Sequence, residues 1–89
     1  MYLHLGNEVI VKIKDIVGIF DIENSSVSKY TKDYLSRAER EGRVIYCSMD
    51  MPKSFVVCDG GGQGERVYVS MMSCSTLLKR FKRQIKGKY

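Results

Sequence analysis

The apolar residues of this 89-residue chain occur in short segments that turn-forming residues interrupt. Segments of this length favour strands, because an amphipathic helix needs a periodic pattern over about ten residues or more. Several segments are rich in β-branched residues, which pack well on a pleated surface. The segments span residues 2–5, 9–11, 16–22, 43–48, 54–59 and 65–70. The pattern predicts one mostly antiparallel sheet of about five or six strands.

The connections between these segments predict two hairpins. Gly6 and Asn7 separate the first two segments, and such a pair is typical of a tight turn. The glycine-rich residues 60–64 join the last two segments as a flexible loop. In the last strand Val67 and Val69 alternate with polar or larger residues, which predicts a half-buried strand.

Residues 24–42 have the pattern of a helix of about four turns. Asn24, Ser25 and Ser26 can cap its start, and Gly42 fits the left-handed residue after its end. The predicted apolar face comprises Val27, Tyr30, Thr31, Tyr34, Leu35 and Ala38.

A second amphipathic helix is predicted near the C-terminus. Ser73 or Ser75 caps it. Its apolar face comprises Leu77, Leu78, Phe81 and Ile85. With both helices covering one face of the sheet, the fold class is α+β.

The excess positive charge of the chain is concentrated after residue 76. The whole chain has 15 Lys+Arg against 10 Asp+Glu. The final stretch holds Lys79, Arg80, Lys82, Arg83, Lys86 and Lys88. Without these six cations the balance is 9 against 10. Such a block indicates either contact with a polyanion, such as nucleic acid phosphates, or a solvated helix face.

Three other lysines are candidate phosphate contacts. Lys53 follows Pro52, whose restricted backbone gives the loop a fixed direction. Lys12 and Lys14 would project from the same face if this stretch is extended. On composition alone, an ordinary surface lysine is the stronger interpretation of Lys53, and Lys14 with Asp15 could equally be a surface pair that contributes little.

The sequence contains no constellation of catalytic residues. His4 is the only histidine and has no nearby Cys-x-x-Cys, which disfavours a metal site. The glycine cluster lacks the Lys-Ser/Thr ending of a phosphate loop. We therefore expect no enzyme activity, cofactor, metal or small-molecule substrate.

No segment is long or apolar enough to span a membrane, and the N-terminus does not have the pattern of a signal peptide. The cysteines Cys47, Cys58 and Cys74 are odd in number and widely spaced, which is typical of reduced residues in a cytoplasmic protein.

The paired methionines, Met49 with Met51 and Met71 with Met72, could fill the core or form a protomer interface, and core filling is favoured.

Four segments together resemble the RemB branch of the RemA/RemB extracellular matrix regulators of Gram-positive bacteria. They are MYLHLG at residues 1–6, KDIVGIFD at 14–21, PKSFVV at 52–57, and residues 70–80, which end in STLLKR. The resemblance covers residues 1–81 as a single domain and leaves residues 82–89 as a basic C-terminal extension. It implies a LytTR-like fold and a cytoplasmic DNA-binding regulator linked to biofilm matrix genes.

The resemblance also implies a homo-oligomer, with a ring as the arrangement of the RemA branch. By position, Lys14 and Lys53 correspond to basic residues of that branch, which tends to use arginine there. Lysine lacks the bidentate fork of arginine, so we expect contacts to the DNA backbone with weak sequence preference.

The leading expectation is thus an oligomeric transcriptional regulator that binds double-stranded DNA. The expected contacts are Lys12, Lys14, Lys53, Lys79, Arg80, Lys82 and Arg83. One alternative is a self-assembling protein-interaction module without DNA binding. Another is a single-stranded RNA binder that stacks bases on Tyr2, Tyr46 and Tyr68.

Overall fold

The computed structural model describes residues 1–22, 29–60, 62 and 64–86. Within these residues the chain forms six strands and two α-helices. The strands are β1 (Tyr2–Gly6), β2 (Val9–Lys12), β3 (Ile16–Asp21), β4 (Val44–Tyr46), β5 (Ser54–Cys58) and β6 (Arg66–Ser70). The helices are α1 (Lys29–Arg40) and α2 (Cys74–Lys86). The predicted α+β class is confirmed.

The described strands form two sheets instead of the one predicted. Strands β1 and β2 form an antiparallel hairpin, and the other four form a sheet in the order β3-β5-β6-β4. All neighbours in the larger sheet are antiparallel except β4 and β6. A single turn of 3-10 helix, Ile13–Asp15, follows β2. This turn interrupts the extended chain, so the hairpin can fold over the sheet instead of extending it.

The two helices lie on opposite faces of the larger sheet, so the prediction that both cover one face is wrong. One core cluster joins the hairpin and α2 to the sheet through Leu3, Leu5, Val56 and Leu77. The other joins α1 to the opposite face through Ala38. The hairpin, which the sequence pattern assigned to the sheet, occupies part of the face that the second helix covers. Each face therefore acquires its own apolar layer.

The predicted half-buried character of β6 is also wrong. Residues 67–70 are all buried, whichever face their side chains occupy. Strand β6 lies between β5 and β4, and the sheet is covered on both faces. Alternation in sequence therefore does not imply a solvent-facing side here.

Helix α1 ends in the predicted left-handed glycine. Gly42 has φ 72°, and its N–H donates to the carbonyl of Glu39 (N···O 3.1 Å). The N–H of Arg43 donates to the carbonyl of Ala38 (N···O 2.9 Å). These two bonds make a Schellman motif. The predicted caps of this helix and its first apolar residue, Val27, lie outside the described residues.

The buried face of α1 is narrower than predicted. Tyr34 and Leu35 pack on the core beside Ala38, but Tyr30 is 86% exposed. At the other helix, Ser73 is the cap, since its Oγ accepts from the backbone N–H of Thr76 (3.2 Å). Leu77 is buried, whereas Leu78 and Ile85 remain partly exposed.

Replacing Gly42 with alanine should destabilise the fold by about 1 to 2 kcal/mol, the usual cost of a left-handed L-residue. Among the described residues, none beyond Gly42 and its two chain neighbours has an atom within 4 Å of the position that the new Cβ would take, so the cost is conformational. Urea denaturation monitored by circular dichroism measures the free energy of unfolding. Gly42→Asn should lose less, because asparagine tolerates this conformation better. Equal losses for the two variants would contradict this explanation.

Candidate nucleic-acid interface

Lys12 and Lys14 are exposed and line one shallow depression of about 440 Å³. Lys12 is the last residue of β2, but Lys14 lies in the 3-10 turn. The stretch from Lys12 to Lys14 is therefore not continuously extended, because this turn ends the strand. The two ammonium groups nonetheless belong to one surface, beside Tyr2.

Lys53 is exposed, and both polar groups of its backbone form hydrogen bonds. Its N–H donates to the carbonyl of Ser70, and its carbonyl accepts from the N–H of Ile22, each at 2.9 Å. These bonds fix the position of the Lys53 backbone at the start of β5.

The structure places Lys14 and Lys53 at opposite ends of the larger sheet. Strand β3 begins opposite Cys58 and ends opposite Ser54, so Lys14 precedes one end of the β3–β5 ladder and Lys53 the other. Five residue steps along β3 separate these ends by about 17 Å. The two lysines that the resemblance singled out are therefore not one cluster.

Four basic residues of α2 are exposed: Lys79, Arg80, Lys82 and Arg83. Leu77 and Phe81, on the same helix, pack into the core cluster beneath the hairpin. The helix continues through Lys86, so the first part of the predicted basic extension is helical. Core packing on one side therefore fixes the opposite side as a basic surface.

Sequence reasoning missed Arg66 as a basic residue near Lys12. Both line a second depression of about 250 Å³, together with Tyr2, Asp15 and Tyr68. The Arg66 Nη2 donates to the carbonyl of Gly60 (3.5 Å), and the guanidinium lies 6.0 Å from the centroid of the Tyr68 ring. Alternation along β6 is the only sequence signal that could have predicted an exposed Arg66. Alternation does not predict on which face of the sheet this residue lies.

An exposed apolar surface lies along β3, one outer strand of the larger sheet. This β3-edge surface comprises Val17, Phe20 and Tyr30, which are all exposed. The ring of Phe20 stacks on Phe55, with centroids 4.9 Å apart, and it covers Gly18 closely enough to exclude a Cβ there. A depression of about 320 Å³ adjoins these residues.

A polar network holds α1 beside the β3-edge surface. The Tyr34 hydroxyl donates to the Glu65 carboxylate, which also accepts from Arg43 Nη1 (3.3 Å). Arg43 Nη2 forms an ion pair with Glu41 (2.7 Å). Burial, and then the hydrogen bond to Glu65, raises the pKa of Tyr34. The tyrosine therefore stays a neutral donor at physiological pH.

A second exposed apolar surface surrounds the end of β4, the other outer strand. This β4-edge surface comprises Tyr46, Met49 and Met71, which line a depression of about 350 Å³. Met51, in the same β4–β5 connection, is exposed as well. Core filling, the favoured prediction for the methionines, is wrong for Met49 and Met51, because the connection that carries them lies on the surface.

The structure describes no arrangement suited to metal or nucleophilic chemistry. No group of three potential ligands lies together among the described residues, and His4 is exposed on β1. All three cysteines are free. Burial raises the pKa of Cys47 and of Cys58 to about 11, so these thiols remain protonated at neutral pH.

The three tyrosines predicted as base-stacking groups do not form a platform. Tyr68 is only 8% exposed, because it packs in the core cluster under the hairpin. Tyr2 and Tyr46 are exposed but belong to different sheets.

No helix in the described part of the chain has both the length and the hydropathy required to cross a bilayer.

Comparison with known proteins supports the resemblance seen in the sequence. The model of the RemA-like family, described as "Extracellular matrix regulatory protein A-like", matches residues 2–81. The chain is 36% identical over 80 residues to "Extracellular matrix regulatory protein B" of Bacillus subtilis (strain 168). That alignment covers 90% of this chain and 89% of the relative.

Proposed function

The chain belongs to the RemA-like family, and we propose that it is an oligomeric, non-enzymatic regulator of extracellular matrix genes that binds double-stranded DNA in the cytoplasm. The name of its Bacillus relative supports the regulatory role. One structural observation carries the DNA-binding part. All seven predicted contact residues are exposed, while the elements that bear them are packed into the core.

The basic residues at the two ends of the sheet would contact DNA phosphates. The β3–β5 ladder between them is about 17 Å long, and Lys14 and Lys53 lie beyond its two ends. Lysine ammonium groups act as point charges, so these contacts position the protein without reading bases. The basic side of α2 adds attraction that is independent of sequence.

Oligomerisation would supply the affinity that single lysine contacts lack. The β3-edge and β4-edge surfaces lie on the two outer strands of one sheet, three interstrand spacings or about 14 Å apart. They differ in composition. Contact between the β3-edge surface of one copy and the β4-edge surface of the next would therefore be heterologous, which generates a ring or a filament.

Lys14→Ala combined with Lys53→Ala should reduce the salt dependence of duplex binding. Each lost phosphate contact lowers the slope of log K against log salt by about 1 for each protomer bound. Fluorescence anisotropy with a labelled duplex at several salt concentrations measures both affinity and slope.

The matched control replaces Lys29 and Lys32, two exposed lysines of α1, with alanine. This control removes the same charge from α1 instead of from the two ends of the sheet. Equal losses for the two pairs would indicate only bulk electrostatic attraction. An unchanged affinity and slope in the first pair would remove Lys14 and Lys53 from the site.

The exposed apolar surfaces also favour a second candidate, a self-assembling interaction module that does not bind DNA. It predicts that oligomers persist at physiological salt while the anisotropy of the duplex stays unchanged. The same titration, with particle mass measured by light scattering, distinguishes the two functions.

A further inference from the structure

The two depressions beside β2 adjoin each other and share Tyr2 and Lys12. We refer to them together as the β2 cleft. Its charged lining groups are Lys12, Lys14, Arg66 and Asp15, three cations against one acid. The cleft is therefore suited to an anion.

Tyr2 and Lys12 form a cross-strand pair in the β1–β2 hairpin. The neighbouring pair, Leu3 and Val11, is buried in the core, so Tyr2 and Lys12 occupy the outward side of the hairpin. Directly opposite residues in such a ladder lie side by side. The hairpin thus presents an aromatic ring, half exposed, next to an ammonium group.

Arg66, on β6 of the larger sheet, lines the second depression together with this pair. Its contacts with Gly60 and the Tyr68 ring restrict the orientation of the guanidinium. A restrained guanidinium and a flexible ammonium that line one depression can together hold a phosphate group.

Asp15 adds an acceptor to the same depression. The main-chain carbonyl of Asp15 accepts from the N–H of Asp59 (2.8 Å), so its position is fixed relative to the sheet. A carboxylate would repel a bare phosphate but can accept from the amino and imino groups of a base or from a ribose hydroxyl.

We propose that the β2 cleft binds a free nucleotide, with its phosphate on Lys12 and Arg66, its base stacked on Tyr2 and its donors facing Asp15. A base inside a duplex is already stacked and paired, so it cannot use the Tyr2 ring. A depression of about 250 Å³ is suited to a small ligand and not to a duplex. Binding itself does not depend on the proposed function. Given that function, the nucleotide would compete with the duplex for Lys12.

Isothermal titration calorimetry of the full chain with GMP and AMP tests the proposal. At least one should bind with a Kd below about 1 mM. Inorganic phosphate and the free nucleosides should each bind about tenfold more weakly, because each lacks one half of the contacts. Lys12→Gln and Tyr2→Ala should each weaken nucleotide binding by about tenfold. Tyr2→Phe, which keeps the ring, should bind like the unaltered protein.

The control is Lys32→Gln on α1, which removes a distant exposed lysine and should leave nucleotide binding unchanged. Both altered cleft residues are exposed, so the variants should keep their fold, which thermal denaturation verifies. Absence of GMP and AMP binding to the folded chain would overturn the proposal, as would binding that Lys12→Gln leaves unaltered.

A further titration with a single-stranded oligonucleotide distinguishes the two possible sources of the phosphate, a free nucleotide and nucleic acid. Binding of the strand through Tyr2 and Lys12, without binding of either monophosphate, would assign the cleft to nucleic acid and overturn a free-nucleotide site. Duplex binding is measured separately with Lys14→Ala plus Lys53→Ala. Failure of the regulator function therefore appears in that titration, and failure of the cleft proposal appears in the calorimetry.

Discussion

Replacing Met49 with aspartate should dissociate the proposed oligomer into monomers and lower the proposed affinity for duplex DNA by about 100-fold or more. Met49 is fully exposed, so the substitution removes no core contact. A buried carboxylate would oppose any contact that covers the β4-edge surface. The affinity falls because linked protomers gain avidity that a single protomer lacks. Light scattering measures the mass, and anisotropy measures the binding.

A partner variant on the opposite edge tests whether the contact is heterologous. Val17→Asp alters the β3-edge surface and should also give monomers. In a mixture, the intact β3-edge surface of the Met49 variant can bind the intact β4-edge surface of the Val17 variant. A head-to-tail interface therefore predicts heterodimers from two monomeric variants, whereas a two-fold symmetric interface does not.

Ile10→Asp is the matched control for these substitutions. Ile10 is 54% exposed, close to the 65% of Val17, but it lies on β2, away from both edge surfaces. The control should keep the oligomer. Monomers in all three variants would indicate a general effect of added negative charge. Oligomers that survive both edge substitutions would exclude these surfaces as the interface.

Leu77→Ala should destabilise the protein by about 3 kcal/mol, within the usual range for a buried leucine. Leu77 is 0% exposed and packs with the hairpin and the sheet, so its removal leaves a cavity where three elements meet. For a domain of this size the midpoint of thermal unfolding should fall by roughly 12 to 24 °C. Differential scanning calorimetry measures the midpoint and the enthalpy.

The adjacent residue provides the control. Leu78 is 40% exposed on the same helix, and Leu78→Ala makes the same chemical change outside the core cluster. Its cost should stay below about 1 kcal/mol. Similar losses at both positions would show that burial of Leu77 in the core cluster does not determine the effect.

Most of the local structure was predictable because its determinants lie within a few residues of each other. The strand segments match β1 to β6 to within a few residues at each end. The Gly42 and Ser73 caps depend on backbone groups within one helical turn or so, and both are confirmed. The hairpin between β1 and β2 is confirmed too, but its turn residues are Asn7 and Glu8, both with positive φ, and Gly6 is the last residue of β1.

The candidate site was predictable only as a set of residue types. The sequence indicated basic residues and a family resemblance, and the family is confirmed. It did not indicate that Lys14 and Lys53 lie at opposite ends of one ladder, because that depends on the register of β3 with β5. It also did not indicate Arg66, which lines the same depression as Lys12 because the hairpin folds over the sheet.

The sequence by itself determined the elements, their caps, the turns and the concentration of charge on α2, since each depends on neighbours along the chain. The tertiary structure decided which faces are covered. Strand β6 alternates like a half-buried strand, yet α1 on one face and the hairpin with α2 on the other bury its residues 67–70. The same packing leaves Met49 and Tyr30 exposed, although their residue types suit a core. Burial is a property of the distant segments that meet at a surface, and local periodicity does not specify which segments those are.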